Sequence, residues 1–527
     1  MKTFLILWAL SGPLSLQQAI LQLSGVSCIE ELAEDEMQRY ESLAAHPVDL
    51  NLAGRSRLLS TGLLTPFQVA SLLDYRERSG AILSWTELGL VDGFSPERVQ
   101  ALQHFFVLGS PETAPGQRPD RRFRQTLTAK ATVRTDGEAA GGLKYEAAFG
   151  ERAVLYGTLR NQYGRSWPPQ GTVSAAIYGR RVLGQLIVGH FNARFGQGLV
   201  QWSGFQLSGY DQPGALRKNG TGLSPTSSYS PSLMGVAADW HVGAWRLSTA
   251  YSWLGNRPIL NLCRTGRTLS ASLTATGEGA SLECRASLPG WSLFGEAACS
   301  WQGQWTGVAG TVWTPAYGHK AGLLGRWLGT GKQYSGIAAG YESPTTVVML
   351  DAAWRPDTGA GQYKLLAQWK PVFERASLKI SPQARLQARW RPSESAPLRL
   401  ELRGTLTLEY GRWTAAGRYD AVFCRGFAWQ WYAEAGWKDE TLSLYLRGGL
   451  FKVDNWDDRI YVYERDAPGN FTVPARYGRG WDASCYAAWH INRHHSLWLR
   501  ASAVYYPWNL TEKEGRTEVR LQYRYRK

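Results

Sequence analysis

Two clusters near the C-terminus hold the residue types that could perform acid/base chemistry: Asp457-Asp458-Arg459 and Tyr463-Glu464-Arg465-Asp466. Paired carboxylates beside cations suit proton transfer, but no nucleophile elbow and no histidine partner lies at a recognisable spacing. The same clusters equally suit a salt-bridge network on an inward face, and that is the expectation. His494-His495 stands near a turn with no carboxylate at metal-ligand spacing, so it reads as solvated. Six cysteines (28, 263, 284, 299, 424, 485) form no C-x-x-C pair and no zinc pattern. An exported location would permit a disulfide such as Cys263–Cys284, although small apolar wall residues are the simpler reading. The expectation is a protein that is not an enzyme, with no metal and no cofactor.

The elements that carry these residues divide the 527-residue chain in two. Lys2, the apolar run Phe4 to Leu10 and the breaker Ser11-Gly12-Pro13 resemble a secretory signal peptide, assigned to residues 1–22. No later run of about 18 apolar residues exists, which excludes a helical membrane protein. Charge is uneven: residues 1–47 carry two basic against six acidic side chains, residues 48–110 carry five against six, and the excess of the whole, +15, therefore lies beyond them. Residues 28–110 read as an acidic helix followed by a small helical domain. The acids of Ile29 to Ala45 are expected on a solvated face, with Ile29, Leu32, Ala33, Met37 and Tyr40 packing on the domain.

That domain repeats itself at an offset of 30 residues, pairing Thr65-Pro66 with Ser95-Pro96, Leu58 with Leu88, Val69 with Val99 and Leu72 with Leu102. Thr65, Ser84 and Ser95 are helix-start signals and Gly80 a stop, giving four short helices in two hairpins. With Val48-Asp49-Leu50-Asn51-Leu52, Tyr75-Arg76-Glu77-Arg78-Ser79-Gly80 and Glu87-Leu88-Gly89-Leu90-Val91-Asp92-Gly93-Phe94, it resembles a double helix-hairpin-helix domain of the competence-protein type. The resemblance implies phosphate contact by backbone N–H groups at the hairpins, here Gly62, Thr65, Gly93 and Ser95. The hairpins depart from the family's Gly-x-Gly, and a charge of five bases against six acids gives little counterion release on a nucleic acid. DNA binding is therefore a weakly supported alternative to protein docking.

After a Pro-rich linker at 111–120, the hydrophobic period changes from 3.6 to 2. In Leu398 to Tyr410, leucines alternate with Arg399, Glu401, Arg403, Thr405, Thr407 and Glu409; Leu442 to Leu450 and Glu518 to Tyr525 do likewise. Such strands, rich in Trp and Tyr, predict a large antiparallel transmembrane β-barrel over 121–527, with about 16–22 strands. Segments such as Gly189-His190-Phe191-Asn192-Ala193-Arg194-Phe195-Gly196-Gln197-Gly198-Leu199 and Asp457 to Asp466 resemble outer-membrane barrel proteins of diderm bacteria that carry an N-terminal helix-hairpin-helix domain.

Arg194, Gln197, Arg399, Glu401, Arg403, Arg459 and Glu464 are the candidates for a lumen or constriction, and residues 194–232 for a loop that is either external or folded inward. The functional expectation is an outer-membrane channel or translocation/assembly component, with lipid around the barrel and a periplasmic protein partner on the helical module. DNA uptake is the alternative.

Overall fold

In the computed structural model of the chain, residues 14–109, 123–161, 163, 170–179, 182–204, 210–228, 233–316, 318–328, 335–509 and 513–527 are described. The expected linker 111–120 and residues 1–13 of the expected leader lie outside them. The leader boundary at residue 22 falls within helix α1 (Leu16–Ser24), whose Ser15/Gln18 capping box starts it and whose Ala19 and Ile20 are buried.

The helical module then follows its local signals. A 3₁₀ turn (Ile29–Glu31) leads to α2 (Glu34–Ala45), and α3 (Arg55–Ser60), α4 (Pro66–Ser79), α5 (Trp85–Leu88) and α6 (Pro96–Leu102) form the two hairpins. Thr65 and Gln68 form a reciprocal capping box, Ser84 and Ser95 cap α5 and α6, and Gly80 ends α4 at φ 86°. The repeated positions Leu58/Leu88, Val69/Val99 and Leu72/Leu102 are all within 1% of full burial, so the duplication encodes one shared core. Each such leucine contributes roughly 1.5–3 kcal/mol by leaving water. A parallel pairing of Val48–Asp49 with Phe106–Val107 ties the two ends of the domain together.

From Phe123 onward the chain is a closed antiparallel barrel. Its first strand (Phe123–Arg134) pairs with its last (Arg516–Arg526), Leu127 opposite Tyr525, so the sheet keeps no free edge. Among the described residues 24 strands run around the wall, with two short extra pieces, Gly222–Pro225 and Phe373–Arg375. The count exceeds the expected 16–22 because tight turns reduce a strand with its connection to about 17 residues.

Period-2 alternation decides which face meets what. Leu398, Leu402, Leu406 and Tyr410 point outward and are exposed, while Arg399, Glu401 and Arg403 point inward. Leu247, Leu262, Leu273 and Leu282 stand side by side across four strands on the outer face. Aromatic pairs rim this belt at both ends: Phe123–Phe149 and Trp291–Trp313 at one, Tyr363–Trp390 and Trp481–Tyr505 at the other. A continuous apolar ring between two aromatic girdles is far larger than any patch a soluble protein leaves in water. The barrel spans a membrane. Both chain ends of the barrel and short turns such as 150–152 and 243–244 lie at one end, and the described parts of the long segments 195–232 and 454–477 at the other.

Candidate functional site

A lumen inside 24 strands is too wide for inward side chains to fill, and 22-stranded outer-membrane transporters hold a separate plug. Here the helical module takes that place, entering from the short-turn end. At the rim, Arg57 of α3 reaches Glu151 in the 150–152 turn at 3.0 Å, and Arg124 binds the same carboxylate at 3.1 Å. Arg55 donates to the Gly243 carbonyl at 3.2 Å, Ser56 Oγ lies 2.8 Å from His241 Nε2, and the Gly318 N–H donates to Glu97.

The acidic segment penetrates deepest. Arg403 and Arg418 are both pinned by Asp420, each through Nε at 2.7 Å, and Arg418 Nη2 also donates to Asp420 at 3.1 Å and to the Tyr461 carbonyl at 3.2 Å, which leaves Nη1 of each arginine for a partner on the plug. Glu30 is that partner, 3.4 Å from Arg403 and paired with Arg418, while the Tyr463 N–H donates to it at 3.2 Å. Burial alone would raise the Glu30 carboxyl; the charges of Arg418 and then Arg403 outweigh it and hold it well below the usual carboxylate range. Glu31 pairs with Arg385, Asp35 lies 3.7 Å from Arg194, and Glu34 lies 3.6 Å from Arg160. Ser42 donates to Glu146 at 2.9 Å.

The expectation that these acids form a solvated face fails for Glu30 and Glu31 and holds in part for Glu34, which stays exposed. Met37 and Tyr40 do pack into the module core as expected, while Glu30 and Glu31 meet arginines of the barrel wall. Their partners lie hundreds of residues away, Glu30 and Arg418 being 388 positions apart, so no local pattern could reveal them.

The long segments close the lumen from the other end. In the described part of 195–228, Gln212 donates to the Val26 carbonyl at 2.9 Å, Asp211 pairs with Lys364, and Leu216 packs with Phe294, Leu324 and Ala338. This segment folds inward rather than outward. Residues 454–477 likewise descend to the plug, where the Gly469 N–H donates to Glu41, and Tyr463 and Phe471 pack on the module core.

The candidate lumen residues fall into three groups. Arg399, Glu401, Arg403 and Arg459 line one cavity of about 510 Å³ whose floor is Glu30 and Glu31. Arg194 and Gln197 belong to the inward segment; Arg194 Nε donates to the Ser203 carbonyl and Gln197 Nε2 to Glu283. Glu464 sits in a third cluster, paired with Arg476 at 2.6 Å and with Arg500, and burial against those two charges leaves its carboxyl at about 2. The two C-terminal acidic clusters are thus salt-bridge networks. Arg385, Arg418, Asp420, Arg57 and Glu151 were missed by the sequence reading, although Arg418 and Asp420 share a strand face at i, i+2.

The hairpin residues are engaged within the module. The Thr65 N–H donates to Gln68 Oε1 and the Gln68 N–H to Thr65 Oγ1, Arg98 N–H is taken by Ser95 Oγ, and the Gly93 carbonyl accepts from Gln68. A side chain at Gly62 would strike Arg39. The cysteines are free among the described residues, and Cys263 and Cys284 cannot pair because strand alternation turns one inward and the other outward. No group of three or more His, Cys, Asp or Glu suited to a metal is found among the described residues.

This chain is a membrane-spanning barrel carrying its own plug. No family model and no curated protein matches the sequence. Among solved structures the chain is similar to OccK11 (OpdR) of Pseudomonas aeruginosa, at 12% identity and TM-score 0.32 over 77% of this chain and 95% of that one. OccK3 (OpdO) of the same organism matches at 11% identity and TM-score 0.34, again over 77% and 95%. The P pilus usher (PapC) translocation pore matches at 9% identity and TM-score 0.41, over 77% and 99%.

Proposed function

We propose that the protein is a gated, non-enzymatic channel or translocation component of a diderm outer membrane, closed by its own N-terminal module. One observation carries this reading: the module's apolar core is built from its own buried residues, with Tyr463 and Phe471 of the 454–477 segment packed on it, while its contacts with barrel-wall residues such as Glu151, Arg403 and Arg418 are ion pairs and hydrogen bonds. A domain joined to its seat by apolar packing would be a fixed part of the wall. One seated by polar contacts leaves as a folded unit when those contacts are exchanged for water or for a ligand, because its core stays buried throughout.

Short turns and chain ends mark the periplasmic side in barrels of this kind, which supports a periplasmic outer surface for the module. Leu83 and Leu90 are exposed there and give a periplasmic protein partner an apolar handle by which to withdraw the plug. For the DNA alternative the hairpins would have to offer free backbone N–H groups, and in the first hairpin the Thr65 N–H goes to Gln68 and the Gly62 N–H to the Leu59 carbonyl; this favours the plug. No retention of the protein on duplex DNA is expected, even at low salt.

The experiment is a planar-bilayer recording of the full-length protein and of Glu30→Gln/Glu31→Gln. Rare openings in the native protein and frequent large ones in the variant support the reading. Equal, continuous conductance in both would refute it.

A further inference from the structure

The cavity of about 510 Å³ beside Glu30 has the size of a small-molecule site, and its wall is built in an unusual way. Along one strand and its exit, Arg385, Gln387, Arg389 and Arg391 step up the inner face every second residue, from the floor to the long-loop end. The next strand sets Arg399 directly opposite Arg389, and Arg403 directly opposite Arg385. Like charges in direct cross-strand register destabilise a sheet unless an anion lies between them. For the lower pair the anions are visible: Glu31 on Arg385, and Glu30 with Asp420 on Arg403. Of the upper pair, Arg399 is bound by Glu401 at 2.6 Å, and Arg391 above it by Glu394 at 3.0 Å.

Donor capacity remains beyond these partners. Arg385 Nε, Gln387 Nε2 and Arg391 Nε are buried atoms without a hydrogen-bond partner, and the Arg385 and Gln387 residues are more than nine-tenths buried. Buried donors of this kind carry a cost that an acceptor would remove. The mouth of the cavity, at Arg425 and Asp457, is open, with nearly half of each side chain exposed.

We infer that this cavity binds a solute bearing two or more phosphate or carboxylate groups, admitted from the long-loop end, and that the ligand competes with Glu30 for Arg403 and Arg418. Glu30 is already a carboxylate on that arginine pair, so it marks the chemistry that the pair accepts. The binding site stands on the cavity itself; the competition with Glu30, which loosens the plug, rests on the gated-plug reading.

Calorimetry on the full-length protein in detergent at low salt tests the site, with citrate and tripolyphosphate as the two anion classes and sucrose as a neutral probe. At least one anion binds and sucrose does not; Arg389→Ala/Arg391→Ala weakens binding by about tenfold, and Glu401→Gln tightens it several-fold. Heat-dependent gel migration establishes that each variant is a folded barrel. Absence of heat with both anions, equal binding of sucrose, or unchanged affinity in Arg389→Ala/Arg391→Ala overturns the site.

The competition is read separately in bilayers, where the binding anion raises the open probability of the native protein. Binding without any such rise overturns the competition alone. A failure of Glu30→Gln/Glu31→Gln to open the barrel would instead strike the plug reading and leave the calorimetric result standing.

Discussion

Glu30, on the plug, is paired with Arg418 and lies 3.4 Å from Arg403, both inside the barrel wall and both already held by Asp420. An acid of one domain thus completes the charge balance of another, and its loss leaves two buried guanidiniums sharing a single carboxylate. Glu30→Gln is expected to weaken seating of the plug by about 3 kcal/mol, the scale for removing one partner of a buried ion pair. Limited trypsin digestion should release the helical module from the variant far faster than from the native protein.

Arg57 and Glu151 make the corresponding contact at the rim, with both side chains almost fully buried. Arg57→Ala leaves Glu151 with Arg124 alone and should also loosen the plug, by about 2–3 kcal/mol. The effects of Arg57→Ala and Glu30→Gln should add in the double variant, because the two contacts share no partner.

Glu41 should make plug seating depend on pH. Burial pushes its carboxyl up to about 7, against the Gly469 N–H, Arg524 and Lys144 and in line with Asp466. A carboxyl raised on folding favours the folded state fully below its unfolded value of about 4.5, and that contribution is lost as pH climbs through 7. Glu30 stays ionised across this window, but burial pushes His46 down to about 4 against the pull of Glu146, and an imidazole depressed on folding is protonated only in the unfolded chain between about 4 and 6.5, so His46 opposes Glu41 at pH 5.5. The Glu41 contribution is read as the difference in melting between the native protein and Glu41→Gln, which should shift against the native protein by the equivalent of about 1–3 kcal/mol between pH 5.5 and pH 8.

Outward orientation of the leucine belt separates a membrane barrel from a soluble one. Leu282→Arg lies at mid-height on the outer wall and should cost about 2–4 kcal/mol and block assembly into vesicles. Leu90→Arg, on the more exposed leucine of the module, should leave assembly unchanged. Insertion is read by resistance to heating in gel electrophoresis.

Local chemistry was legible in the sequence where its signals are local. Leu398–Tyr410 is a strand over the range that alternation predicts, and Thr65, Ser84, Ser95 and Gly80 start and stop the helices they mark. Strand number was underestimated because turn length is not a periodic signal. The destination of the acidic segment was hidden for a different reason. Helical spacing identified Met37 and Tyr40 as the face toward the module, but what meets Glu30, Glu31 and Asp35 depends on closure of a barrel whose arginines follow more than 150 residues later. The opposite charges of the two regions were the available clue, since a strongly basic lumen and an acidic neighbour in one chain neutralise each other when they meet.

The most direct measurement of the gated plug is single-channel conductance of the full-length protein and Glu30→Gln/Glu31→Gln under one salt condition. The account predicts a native barrel that is closed most of the time and a variant that opens often to a large, uniform conductance. A native protein that conducts steadily at the variant's level would contradict it.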